Sequence, residues 1–245
     1  MKGITLLAMA ALGPVSFAQV LWDQSNVVNV AGGGTGAIAG ADLSQLSGTE
    51  TLFGWGAQAA NTNVMADDFT VGAGGWNITG LRFWSYQTGA TTATITGVNF
   101  AIDSDLTSVT VNPAATVTTT LTNTYRVATG VTSDANRRLQ LVEVSGLNIN
   151  LSAGTYFLKF NFVGSTANSG PWAPAIPTGQ AVNGQNAQQS LAGGAFAPAF
   201  VDGGAGPLGG DAVFQIRGQA VPEPATMSLL AVAAAGIAAR RRKKS

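Results

Sequence analysis

The chain has no cysteine and no histidine in its 245 residues. The first absence excludes disulfide staples, so any fold must be held by its core alone. The second excludes Ser-His-Asp and Cys-His catalytic machinery and removes the commonest transition-metal ligand. Charge is also scarce, at 10% of residues. Residues 19–221 hold only two glutamates, Glu50 and Glu143, and no stretch with sustained helical periodicity. Long apolar runs are missing too. Ile4–Leu12 and Ala225–Ala239 both fall short of the roughly 20 residues that a permanent spanning helix uses.

What is there is most legible at the two ends. Lys2 precedes the apolar stretch Ile4–Leu12, Pro14 breaks it, and Ser16-Phe17-Ala18 puts small residues at the two cleavage-determining positions. This pattern predicts a secretory signal peptide over 1–18, a helix handed to the general secretion machinery and cut between Ala18 and Gln19. At the other end stand Val221-Pro222-Glu223-Pro224-Ala225, an uncharged run to Ala239, and the cluster Arg240, Arg241, Arg242, Lys243 and Lys244. Pro222 and Pro224 favour extended backbone, the form in which a protease cleft takes a substrate. A helix over 225–239 would be roughly 22 Å long, against a hydrocarbon core of about 30 Å. It suits a transient anchor, with the basic cluster held on the cytoplasmic side and the preceding domain outside.

Val221 to Ser245, with the Pro222-Glu223-Pro224 motif intact, resembles the PEP-CTERM sorting domain. The resemblance implies an exosortase-type membrane protease as partner, recognition of the tripeptide, removal or exchange of the tail, and a cell that makes exopolysaccharide.

Setting both ends aside changes the charge. Residues 19–221 hold six basic and eleven acidic residues, a balance near −5. An acidic, charge-poor surface excludes nucleic acid as a partner, since a basic face supplies most of that affinity.

The remaining residues read as one all-β domain over 19–220. Thirty-two glycines supply turns. Strands are predicted at 68–71, 76–86, 98–103, 139–144, 147–151, 156–162 and 212–217, and two shorter ones within 109–127, broken near Pro113. In 76–86, strict alternation puts Trp76, Ile78, Trp84 and Tyr86 on one side and Leu81 and Phe83 on the other, with a bulge expected at Gly80. Eight or nine such strands point to an antiparallel two-sheet sandwich of jelly-roll type. It is flanked by the N-terminal signal helix and a C-terminal hydrophobic helix. Ala31–Ala41 reads as a flexible Gly/Ala-rich surface loop, and Gly164–Gly210 as a long loop containing an irregular hairpin around 188–200. Trp22-Asp23-Gln24, Ala66-Asp67-Asp68-Phe69, Trp76-Asn77-Ile78, Phe83-Trp84, Ala153-Gly154-Thr155-Tyr156 and Asp211-Ala212-Val213-Phe214 are similar to a pattern in β-sandwich cargo domains of PEP-CTERM proteins. That likeness brings no catalytic residue with it.

No enzyme, cofactor or metal is expected. Asp67 and Asp68 are neighbours on a strand, so their side chains leave opposite faces and cannot flank one bond. One is expected to cap backbone amides and the other to face water. Asp103-Ser104-Asp105 supplies two carboxylates where Ca²⁺ takes six to eight oxygens, and an Asx turn at Asp103 is the simpler reading. Among the tryptophans, Trp76 and Trp84 follow strand alternation and are expected in the core. Trp55 between glycines and Trp172 between prolines are the candidates for an exposed sugar-stacking platform. Two functions follow. One is a structural or interaction protein of the cell surface or extracellular matrix, exosortase-processed and associated with exopolysaccharide and biofilm. The alternative is a carbohydrate-binding module using the loop aromatics, with or without Ca²⁺.

Overall fold

The computed structural model describes residues 19–177, 179–180, 186–203 and 208–222. Among these, fourteen strands form and no α-helix. In chain order they are β1 (Gln19–Gln24), β2 (Asp42–Gln45), β3 (Trp55–Gly56), β4 (Val64–Val71), β5 (Trp76–Thr88), β6 (Ile95–Asp103) and β7 (Asn112–Pro113). There follow β8 (Val117–Val127), β9 (Arg138–Leu151), β10 (Gly154–Gly164), β11 (Ser169–Ala173), β12 (Gln188–Ser190), β13 (Ala197–Pro198) and β14 (Phe214–Ala220). The signal helix and the C-terminal helix expected from the sequence lie outside the described residues. Within those, no helix is long and apolar enough to cross a membrane.

Two sheets result, as expected. The larger runs β1-β14-β5-β9-β8-β2, with β11 and β3 continuing alongside β5, and the smaller runs β13-β12-β4-β10-β6-β7. Their pairings nest: β1 with β14, β4 with β10, β5 with β9 and β6 with β7. Successive nested pairs fall in alternate sheets, so the chain is one long antiparallel ribbon folded over itself. The exception is β2, which pairs parallel with β8 over Asp42–Gln45 and Thr124–Val127. The sandwich is therefore not purely antiparallel.

The core lies between the sheets. Alternation along β10 sends Leu158, Phe160 and Phe162 inward, where Phe83 of β5 meets Phe160 at 4.8 Å and Phe162 at 5.9 Å between ring centroids. Each such side chain removed from water contributes roughly 2–3 kcal/mol, which is what replaces disulfides here. The intervening positions Lys159 and Asn161 face away from this core, yet Lys159 is 0% exposed. The segment after β6 crosses over it, with Ser108 O accepting from Lys159 Nζ at 2.7 Å and Asp103 ion-paired to the same ammonium. Asp103 is thus an ion-pair partner. The turn expected there belongs to Asp105, whose Oδ1 accepts from the Thr107 amide at 2.9 Å and the Thr107 hydroxyl at 2.6 Å.

The bulge expected at Gly80 is present. The β5–β9 register shifts between Ile78 and Gly80, and the β5–β14 register shifts between Arg217 and Gly218. The shift inverts the strict alternation: Trp76, Ile78, Leu81 and Phe83 all enter the main core. Tyr86 and Trp84 pack on the other face, against Val27, Phe53, Leu139 and Ile176. The two strands expected at 139–144 and 147–151 are one, β9, carrying the opposing irregularity at Gly146 with φ +75°.

The loop readings are refined. Ala31–Ala41 lies largely at the surface, as expected, and is anchored by Ile38 and Ala41, buried against Leu43 and Val127. The long segment after Gly164 contributes β11 to the larger sheet before the expected hairpin, which forms as β12 and β13. Trp172 therefore sits on a strand rather than in a loop.

Candidate functional site

Trp55 does not meet the expectation of exposure. It is 2% exposed, and its indole N–H donates to Phe200 O at 2.9 Å. The flanking glycines serve close packing: a Cβ on Gly54 would lie 2.8 Å from Ala173 O. Trp172 is half-buried, in register with Tyr86 of β5 and Gly56 of β3. Part of it packs on Tyr86 and its neighbours, and part lines a cleft of about 440 Å³.

The cleft is built at one end of the sandwich from residues 58–61 before β4, the connection 165–168 between β10 and β11, and the adjoining ends of those two strands. Val163, which is exposed, and the half-buried Trp172 supply its apolar surface. Asn61, Thr166 and Ser169 are exposed on its walls, with Asn168 half-buried beside them. Among the described residues, no ionisable side chain lines it. The 165–168 connection is tied from below by the buried carboxamide of Gln87. Its Nε2 donates to Ser165 O at 2.8 Å and Asn168 O at 3.1 Å, and its Oε1 accepts from Ser165 N at 3.0 Å. Gly170, at φ +108°, is required beneath the indole: a Cβ there would sit 2.5 Å from Trp172 Cδ1.

The carboxylates are placed differently. Asp67 faces the core at 1% exposure, and its Oδ1 and Oδ2 accept from the amides of Asp68 at 2.9 Å and Ala212 at 2.7 Å. Burial, then the nearby Asp211 carboxylate, pushes its carboxyl well above the ordinary range. Burial, then Asp68, raises Asp211 to about 6. The capping role expected of this pair falls to Asp67, but Asp68 does not face water and is only 4% exposed. Groups this enclosed offer no surface to a substrate. Among the described residues no cluster of His, Cys, Asp or Glu is arranged to hold a metal ion.

Of the processing residues, Gln19 opens β1 beside Gly218, and Pro222 is exposed just past the end of β14. The Val221 amide donates to Gly75 O at 2.9 Å, the last backbone tie found before the tail. The chain thus enters and leaves the domain at one end of one sheet edge. Ala18, Glu223, Pro224 and Arg240–Lys244 lie outside the described residues. Strand direction puts the cleft at the other end: β5 runs from Trp76, beside Ala220, to Thr88, and its 13 residues span about 40 Å.

No curated protein and no solved structure matches the chain. Residues 220–243 match the family model for the PEP-CTERM protein-sorting motif. The chain therefore carries a PEP-CTERM sorting motif, which marks an exported protein that an exosortase sorts through a transient membrane anchor.

Proposed function

We propose that residues 19–220 are a non-catalytic interaction domain, displayed at the cell surface or in the extracellular matrix in association with exopolysaccharide and biofilm. The observation that carries this reading is the sorting motif that follows the end of β14, where Val221 and Pro222 are exposed. A protease can reach Pro222 there without unfolding the domain. The jelly-roll description has its support in the nested pairs that alternate between the sheets. A non-catalytic role is favoured because Asp67, Asp68 and Asp211 are enclosed and Asp103 and Glu143 are ion-paired.

Mass spectrometry of the protein from exosortase-positive and exosortase-deficient cells tests the sorting. The expected result is a C-terminus ending near the motif in the first and extending through Ser245 in the second. A full-length C-terminus in both would overturn it. The more specific alternative, a carbohydrate-binding module, is favoured by the cleft at Trp172.

A further inference from the structure

We infer that the cleft between residues 58–61 and 162–172 binds a neutral glycan. This rests on the interaction role proposed above and adds to it a place and a ligand class. Sugar rings present apolar C–H faces and hydroxyls that both donate and accept. The cleft answers both: Val163 and Trp172 supply apolar surface, while Asn61, Asn168, Thr166 and Ser169 supply carboxamides and hydroxyls of the same dual character.

Neutrality of the ligand follows from charge. Among the described residues no cation lines the cleft, so a carboxylate or phosphate entering it would lose water without gaining a partner. The domain's balance near −5 opposes a polyanion further. Pre-organisation is visible in Gln87, which is 0% exposed and holds the 165–168 backbone with three hydrogen bonds, so that wall is ordered before binding. Position agrees as well. The cleft lies at the end of the strands away from Pro222, so the exposed start of the sorting segment does not crowd it.

The test uses the protein purified from exosortase-positive cells, titrated calorimetrically with neutral oligosaccharides of glucose, galactose, mannose and N-acetylglucosamine, and with oligogalacturonate. At least one neutral series is expected to bind, unaffected by about 0.5 M salt. An Asn61→Ala/Asn168→Ala double variant should weaken that binding tenfold or more, and Asn77→Ala, on a distant sheet face, should not. If the double variant fails to fold, Asn61→Ala alone, an exposed change, carries the comparison. Neutral binding undiminished in the variant would overturn the cleft assignment and leave glycan association standing. Salt-sensitive binding of oligogalacturonate alone would overturn the ligand class. Binding to no oligosaccharide would overturn the inference, while the sorting and display reading answers separately to the C-terminal mass.

Discussion

Asp67 accepts a hydrogen bond from the Ala212 amide across 145 positions of sequence, at 2.7 Å. The bond ties β4 of the smaller sheet to the segment that leads into β14 of the larger one. It also puts a carboxylate in the core, close to Asp211 and Asp68, and this has a consequence for pH.

Asp67 and Asp211 both have folded-state values raised above their unfolded ones. Between the two values the native state binds more protons than the unfolded chain, so stability falls as pH rises. Their contribution is complete below about pH 4 and is lost as pH rises through the raised values, about 6 for Asp211. For Asp211 alone this amounts to at most about 3 kcal/mol. Thermal unfolding followed from pH 4 to 8 should show a declining Tm, and Asp211→Asn should flatten the decline. A Tm that rises over this range, or an unaltered slope in the variant, would contradict it.

Gly218 is held against the bulge of β5. A Cβ there would lie 2.1 Å from Asn77 O and 2.9 Å from Ile78 Cα, both backbone atoms that cannot swing aside. Gly218→Ala should therefore cost on the order of 1–3 kcal/mol, the range for forcing atoms into a packed interior. Gly130→Ala serves as a comparison, since Gly130 has nothing within 4 Å of its missing Cβ and only its φ of +73° to strain. Denaturant midpoints that rank Gly130→Ala as the more damaging change would refute this account.

Lys159 is enclosed, whereas the side chain of its ion-pair partner Asp103 is 47% exposed. Asp103→Ala removes the ion-pair partner and leaves the ammonium to Ser108 O and the field of the Asp105 carboxylate, which should cost about 1–3 kcal/mol. Lys159→Met removes charge and partner demand together and should cost less, because an apolar side chain of similar length suits the enclosed site. Chemical denaturation of the two variants decides; equal losses would mean that the pair contributes only packing.

Much of the architecture could be read in advance because strand alternation is local. β5, β6, β9, β10 and β14 stand where Val, Ile, Phe and Trp alternate with polar residues. The bulge at Gly80 was visible for the same reason, as a break in phase. Its effect was not: counting by twos separates Ile78 from Leu81, and only the shifted register shows that both enter one core. β1, β2, β3 and β11 were illegible because short segments become strands by having a neighbour, and β11 has β5 and β3. The candidate site divides similarly. Trp172 was found by its chemistry, although its strand was not foreseen. Gln87, which sets the cleft wall, gave no signal, since a glutamine in a strand reads as an outward polar residue until its partners at Ser165 and Asn168 are known.

The sequence by itself determined the processing logic, the absence of histidine and cysteine chemistry, and the all-β class. Each depends on composition or on residues adjacent along the chain. Tertiary structure alone decided that Trp55 is enclosed while Trp172 edges a cleft, that Asp67 points inward, and that the cleft lies opposite the sorting segment. These are facts of pairing between residues far apart in sequence. Burial and juxtaposition are set there by register and strand direction, which no local pattern encodes.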